Sequence, residues 1–488
     1  MIGGLKLLFL YILKYIGCLM RLKFASFAVL IGLGLPALPL RAQHNGKAEL
    51  WLTTADRSSL LTHQGSSLRF QRSTAKATVI DVDDKQTYQS IDGFGFALTG
   101  GSAQLMMRMD AAHRSELLRE LFGRGSGAIG VSYLRVSIGS SDMNDHVFTY
   151  DDLRNDETDP TLAKFNLGPD REDVIPVLKE ILAINPGIKI LGSPWTAPSW
   201  MKTNDNPKDG NLKPEYYAVY AQYFVKYISA MKAEGITIDA ITVQNEPLNG
   251  KNTPSMVMPA TDQDVFIKED LGPAFRSAGI TTKIILYDHN CDVPEYPLTI
   301  LNDPKAAQFV DGSGFHLYGG KVDAMTQVHD AHPAKNLYFT EQMVVDRRQD
   351  PKLRIASAVS DVVIGATRNW SRNVLLWNLA ADPQFNPHTS NGGCTMCEGA
   401  ITLDGNQVTR NIAYYSIAQV SKFVPPGSVR IGSNLPESLP NVAFKTPSGK
   451  LVLIVANPGD ADQTFEIRYR GKEITSTLNA GSVGTYLW

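Results

Sequence analysis

Between about Tyr88 and Leu403 the chain alternates short apolar runs with amphipathic stretches, the pattern of a parallel sheet whose strands are joined by crossover helices. Eight runs read as strands: GFGFAL (93–98), SYLRVSIG (132–139), IKILGSP (188–194), AITVQNEP (240–247), KIILYDH (283–289), GSGFHLY (312–318), NLYFTEQ (336–342) and NVLLWNL (373–379). Eight such strands in a chain of 488 residues point to a closed (β/α)8 barrel. The intervals fit this reading. Tyr216, Tyr220, Tyr223, Phe224, Tyr227 and Met231 recur at helical spacing before Gly235, an aromatic stripe suited to the buried face of a helix. Most strands also turn polar or aromatic at their C-terminal ends: Arg135, Trp195, Asn245, Glu246, His316, Tyr318, Glu341, Trp377 and Asn378. In a (β/α)8 barrel those ends form the active-site face.

The flanks have a different period. AELWLT (48–53) and ATVIDV (77–82) read as strands separated by polar residues and turn formers. From about Ala413 alternating strands broken by Pro and Gly follow, including NVAFKT (441–446), LVLIVANP (451–458) and TFEIRYR (464–470). The expected organisation is a barrel over 85–410, with N-terminal strands in 43–84 joining a C-terminal stretch, 411–488, in one β-sandwich. The two ends of the folded chain then lie together.

Residues 1–42 read as an export signal. Arg21 and Lys23 precede a mostly apolar run, Phe24 to Leu35, followed by Pro36, Pro39 and a cut after Ala42. Met1 to Leu19 is apolar but carries Lys6 and Lys14, too short and too charged for a spanning helix; initiation at Met20 accounts for it, and a lipid anchor at Cys18 is the alternative. The expected location is therefore outside the cytoplasm, as a periplasmic, secreted or cell-surface protein with no stable membrane span in the mature chain.

With 47 basic and 49 acidic residues the net charge is -2, which gives no electrostatic basis for binding nucleic acid. Of the four cysteines, Cys18, Cys291, Cys394 and Cys397, three remain after the signal, so one intramolecular disulfide at most can form. Cys394 and Cys397 can close a small ring, with Cys291 as a competing partner. They lack the second Cys or His pair of a zinc site.

Two glutamates end strands on opposite sides of the expected barrel mouth, Glu246 on the fourth and Glu341 on the seventh. A solvated surface role is the ordinary fate of a glutamate. Position at these strand ends instead suits glycoside hydrolysis, in which two carboxyl groups flank the anomeric carbon, about 5 to 5.5 Å apart in retaining enzymes.

The motif Gln244-Asn245-Glu246-Pro247 resembles the acid/base motif of the clan of barrel glycosidases with glutamates on strands four and seven. Together with AELWLTTADRSSLL (48–61), LRVSIGSSD (134–142), GSPWTAPSWMKTN (192–204), FHLY (315–318), WNLA (377–380), SKFVPPGSVRIG (421–432) and the closing TYLW (485–488), it resembles the glucosylceramidase family, glycoside hydrolase family thirty, over nearly the whole mature chain. The resemblance implies that Glu246 is the general acid/base and Glu341 the nucleophile of a double displacement that cleaves β-D-glucosyl linkages without cofactor or metal. It implies that Asn245 bonds the sugar 2-hydroxyl, that Tyr318 donates to the nucleophile, and that Asp142 and Trp195 bind hydroxyls. Trp377 is implied to lie under the sugar ring. Arg135 is expected to keep Glu341 ionised, and the charge of Glu341 to raise the pKa of Glu246.

The expected substrates are a β-glucoside, a β-glucan oligosaccharide or a glycolipid. Glucosylceramidase or β-glucosidase action, with a part in sphingolipid metabolism, leads. β-1,6-glucanase and β-xylosidase activity are alternatives within the same chemistry. A non-catalytic carbohydrate-binding barrel is a rival of another class, opposed by the retention of both glutamates, Asn245 and Arg135. A metal hydrolase built on Asp288, His289, Cys291 and His316 is a further rival. Two departures from the family pattern bear on the leaving group: the segment 381–404 after the eighth strand, and Gly100 where an acidic residue often stands.

Overall fold

A computed structural model describes residues 46–71, 78–154, 156–346 and 353–488. The export-signal reading falls outside them. Among the described residues no helix is long and apolar enough to cross a membrane.

Three strands open the fold: β1 (Lys47–Thr53), β2 (Thr62–Arg69) and β3 (Thr78–Ser90). The barrel follows with β4 (Gly93–Leu98), β5 (Tyr133–Ile138), β6 (Lys189–Pro194), β7 (Ala240–Thr242), β8 (Lys283–Cys291), β9 (Val310–Gly320), β10 (Asn336–Glu341) and β11 (Ser371–Asn378). These eight close into a parallel ring in chain order, β11 pairing with β4. Every barrel strand anticipated from the sequence is present. Close packing sets some of its residues: a Cβ on Gly95 of β4 meets the Tyr133 carbonyl of β5 at 1.9 Å, so no larger residue fits there.

The interior of the barrel is layered. Tyr133, Leu191, Ala240, Ile285, Tyr338 and Leu375 form one apolar cluster drawn from six strands. Because strand side chains repeat with period two, the next inward residues are Arg135, Ser193, Thr242, Thr340 and Trp377. The layer above the apolar plug is therefore mostly polar. Strand β8 departs from this period. Its register shifts between Tyr287 and His289, with φ of 72° at Tyr287 and 60° at Asp288. This bulge brings Asp288, three residues after Ile285, into the polar layer.

After β11 come a short strand β12 (Ala380–Ala381) and a hairpin of β13 (Ile401–Asp404) and β14 (Gln407–Arg410), with β12 parallel to β13. The pairing pins both ends of the segment 382–400 above the barrel mouth. The last strands are β15 (Val429–Ser433), β16 (Asn441–Lys445), β17 (Leu451–Ala456), β18 (Gln463–Tyr469), β19 (Lys472–Leu478) and β20 (Val483–Leu487). With β1 to β3 they form a nine-stranded sheet in the order β19-β18-β3-β15-β16-β17-β20-β1-β2. Its inward side chains, among them Leu50, Ile80, Ile431, Leu453, Phe465 and Tyr486, share one core, so both ends of the folded chain build the sandwich.

Three details differ from the sequence reading. The polar stretch between β1 and β3 contains β2, THQGSSLR, at the edge of the sheet, where one pairing partner suffices. Strand β3 runs on to Ser90, past the expected end of the N-terminal strands at 84. The segment expected to open the C-terminal strands begins as a helix, Ile412–Ser421. That helix ties barrel to sandwich: Gln419 donates to Thr53 Oγ1 and accepts from Thr485 Oγ1, both at 2.6 Å.

Candidate active site

Arg135 is fully buried and organises the polar layer. Its Nη1 donates to Glu341 Oε2 at 2.6 Å, and its Nη2 to Asp288 Oδ2 and Asn245 Oδ1, each at 2.7 Å. Because a guanidinium only donates, Asn245 must present its oxygen to Arg135, which turns its amide nitrogen to the cavity. Trp195 and Trp377 pack against each other with ring centroids 5.4 Å apart, and the Arg135 guanidinium lies 4.7 Å from the centroid of Trp195. The charge is thus enclosed by two carboxylates and aromatic faces.

Glu341 Oε1 accepts from the Tyr318 hydroxyl at 2.9 Å, and that hydroxyl accepts from the Met343 amide at 2.9 Å. Although Tyr318 is 42% exposed, its hydroxyl end reaches Glu341 while its ring forms cavity wall. Glu246, the third residue of the motif that follows β7, has a φ of 44°, an uncommon conformation for a residue with a side chain. Its amide donates to the Asp288 carbonyl at 2.9 Å. Oε1 faces His316 Nδ1 at 3.2 Å, and Oε2 accepts from Asn249 Nδ2 at 2.7 Å. One oxygen of Glu246 and one of Glu341 lie within 4.8 Å of each other.

The structure brings together all eight residues singled out in the sequence. Arg135 lies behind the wall, and Asp142, Trp195, Asn245, Glu246, Tyr318, Glu341 and Trp377 line a cavity of about 350 Å³. A larger hollow of about 660 Å³ lies away from them, between Thr54–Ser58, Ala356 and the sandwich loops. It lacks the opposed carboxylates, and chemistry rather than volume selects the site. Asp142 Oδ1 has no protein partner. Burial first, then the charges of Glu341 and Glu246, raise its carboxyl well above the usual range.

Asp288, which the sequence suggested only as a metal ligand, is instead a structural anion. It accepts from Thr340 Oγ1 at 2.6 Å and Ser193 Oγ at 2.8 Å besides Arg135, and it contacts His316 Nε2 at 3.0 Å. Burial works to raise its pKa, but Arg135 and His316 hold it far below the usual carboxylate range. For His316, burial opposes charging, yet Glu341, Asp288 and Glu246 lift it to about 9. Among the described residues the one cluster of metal-type ligands is Glu246, His316 and Glu341, not the rival set of Asp288, His289, Cys291 and His316. Both nitrogens of that His316 already face carboxylates.

The charge pattern corrects one expectation. Burial pushes Glu341 up, and the charges of His316 and Arg135 only partly offset this. For Glu246, burial is outweighed by the hydrogen bond and charge of His316, with Asn249 and His289 adding to it, so its carboxyl falls below the usual range. Glu246 was expected to be raised by Glu341. The reason for the reversal is His316, whose place between the carboxylates depends on the pairing of β8 with β9.

The wall beyond these residues is formed by Asn249, Asn252, Asn290, Met343 and Gly392 to Cys394, with Cys397. Sequence reading did not single out the three asparagines: Asn249 and Asn252 lie in the loop after β7, and Asn290 is the last residue but one of β8. Cys394 and Cys397 form a disulfide, and Cys291 is free and buried. The loop carrying the disulfide is fastened across the mouth: Thr389 donates its Oγ1 to the Thr253 carbonyl at 2.6 Å and its amide to the Asp142 carbonyl at 2.9 Å, and Thr253 donates to the Asn391 carbonyl.

A parallel barrel with this constellation at its mouth defines a class, the barrel glycoside hydrolases. Sequence comparison narrows it: residues 91–424 match the TIM-barrel domain of glycosyl hydrolase family 30 and residues 427–486 its β-sandwich domain, and the chain belongs to that family. It is 36% identical over 450 residues to Endo-1,6-beta-D-glucanase neg1 of Aspergillus fumigatus, spanning 87% of this chain and 90% of the relative. Against Lysosomal acid glucosylceramidase of Mus musculus it is 28% identical, spanning 85% and 84% of the two chains. Among solved structures, the endo-beta1,6-glucanase BT3312 superposes with a TM-score of 0.83 at 34% identity, covering 91% of this chain and 99% of the other. The relatives thus favour the glucanase alternative over the leading glucosylceramidase expectation.

Proposed function

We propose that the protein hydrolyses β-1,6-linked glucan with retention at the anomeric carbon, Glu341 acting as nucleophile and Glu246 as acid/base. The observation that carries the chemistry is the opposed pair, with carboxylate oxygens within 4.8 Å of each other. That spacing suits direct attack, since an inverting pair stands about 6.5 to 9.5 Å apart to admit a water. Arg135 and the Tyr318 hydroxyl stabilise the Glu341 carboxylate on its two oxygens. The acid proton is shared between His316 Nδ1 and Glu246 Oε1: with His316 Nε2–H held by Asp288, either the imidazolium donates to the Glu246 carboxylate or the carboxylic acid donates to the neutral ring. Substrate binding draws that proton to the glycosidic oxygen. Once Glu341 is an ester, Glu246 takes a proton from a water whose oxygen attacks the anomeric carbon, and the ester bond breaks to release the sugar and the Glu341 carboxylate.

For specificity, the support is the identity to endo-1,6-β-glucanases and the polar wall of Asn249, Asn252 and Asn290 where the leaving group emerges beside Glu246. A sugar presents hydroxyls to such a wall. The exposed Leu248 and Met396 near the rim favour a second reading, a glycolipid substrate. Comparing kcat/KM on β-1,6-glucan oligomers and on dispersed glucosylceramide separates the two; a clear preference for the lipid overturns the first. We also infer export through residues 1–42, supported by the order of basic, apolar and small residues. N-terminal sequencing of protein recovered outside the cytoplasm tests it, with a start at Gln43 expected.

A further inference from the structure

We propose that Asn249 is a positioning residue that holds the acid/base carboxyl in register, fixing which of its oxygens carries the proton. The inference rests on the acid/base reading of Glu246. Asn249 grips Glu246 twice. Its amide donates to the Glu246 carbonyl at 2.8 Å, closing the turn Glu246-Pro247-Leu248-Asn249, and its Nδ2 donates to Glu246 Oε2 at 2.7 Å. The side-chain amide cannot be turned around, because its Oδ1 accepts the Lys251 amide at 3.0 Å and a backbone N–H can only donate.

Oε2 is thereby fixed as an acceptor. The proton belongs on Oε1, which faces His316 Nδ1. Without Asn249 the carboxyl is held by His316 alone, at a residue whose backbone already holds a φ of 44°. The Asn249 donor also favours the ionised carboxylate. The groups around Glu246 are His316 on β9, His289 on β8, Glu341 on β10, Tyr318 and Asp142, with Arg135 and Asp288 behind them. To these Asn249 adds an uncharged donor on Oε2, and like Glu246 it lines the cavity.

The test is the pH dependence of kcat/KM on aryl β-glucosides of good and poor leaving groups, for the wild type, Asn249→Ala and Asn249→Asp. Removing the donor stabilises the protonated carboxyl, and adding a negative charge does so further. The basic limb is expected to move up by about one pH unit in Asn249→Asp and by less in Asn249→Ala. Turnover of the poor leaving group falls by about tenfold or more relative to the good one. A basic limb unmoved in both folded variants, or a loss confined to KM, overturns the inference and leaves Asn249 as cavity wall. Glu246→Ala separates this from failure of the parent reading. If its losses are equal for all leaving groups and azide gives no rescue, Glu246 is not the acid/base; if azide restores turnover while the Asn249 variants keep the wild-type limb, only the positioning role falls.

Discussion

His316 Nδ1 stands 3.2 Å from Glu246 Oε1 while His316 Nε2 stands 3.0 Å from Asp288 Oδ1, so one imidazole joins the Glu246 carboxyl to a carboxylate held far below the usual range. Its pKa of about 9 means that the His316 and Glu246 pair keeps its proton until the pH rises through that value. Activity is therefore expected to fall as pH climbs through about 9, because the acid is then lost. On the other side the proposed attack needs Glu341 ionised, and its pKa is raised, so the acid limb is expected above the ordinary glutamate value of about 4.3. In His316→Gln the last proton resides on Glu246 alone, and the basic limb moves down. A limb that stays near 9 in that variant rejects the shared-proton account.

Glu341→Gln keeps the size of the side chain and removes the attacking anion. Turnover is expected to fall by several orders of magnitude with the melting temperature little changed. A 2-fluoro glucoside inactivator should label Glu341 in the wild type, read by peptide mass spectrometry. Label on Glu246 or Asp142 instead reverses the assignment.

The barrel was legible because its strands obey one period: the residues two positions beyond the plug, Arg135, Ser193, Thr340 and Trp377, land in the polar layer as the alternation requires. Asp288 was not legible as a partner of Arg135, since only the β8 bulge turns it inward, and neither Tyr287 nor Asp288 announces a positive φ. Strand β2 was missed because THQGSSLR carries a single β-branched residue, Thr62, and no Phe, Tyr or Trp to mark a strand. The two glutamates could be found in sequence, yet the sense of their pKa shifts could not. That sense depends on where His316 falls between them, a relation between neighbouring strands rather than a property of either.

Gly100 explains one departure from the family pattern. A Cβ there meets Asn144 Nδ2 at 1.9 Å. Asn144 cannot readily yield, because its Oδ1 accepts from the Ser141 amide at 2.9 Å and it is 2% exposed. Gly100→Asp is therefore expected to destabilise the fold by about 1–3 kcal/mol, as overpacking does. Displacing Asn144 also shifts the neighbouring Asp142, so KM should rise. A melting temperature equal to wild type refutes this packing account.

The Cys394–Cys397 bond lies in the wall of the cavity, in a segment held at its ends by the β12 to β13 pairing and across the mouth by Thr389 and Thr253. Cys397 is 2% exposed, and its sulfur is 3.4 Å from Met343 Sδ, next to the residues that hold Tyr318. Opening the ring frees the residues between the sulfurs and loosens that packing, while Trp377 and Asn245 keep their own supports in the barrel. Reduction, or Cys394→Ser with Cys397→Ser, is expected to raise KM for a β-1,6-glucan oligomer severalfold. For an aryl β-glucoside, whose leaving group barely reaches this wall, kcat/KM should fall less. Thiol titration of the denatured protein lacking residues 1–42 should find one thiol, Cys291, before reductant and three after it. Equal loss on both substrates after reduction would mean that the ring supports the barrel mouth as a whole, and its part in selecting the leaving group would be wrong.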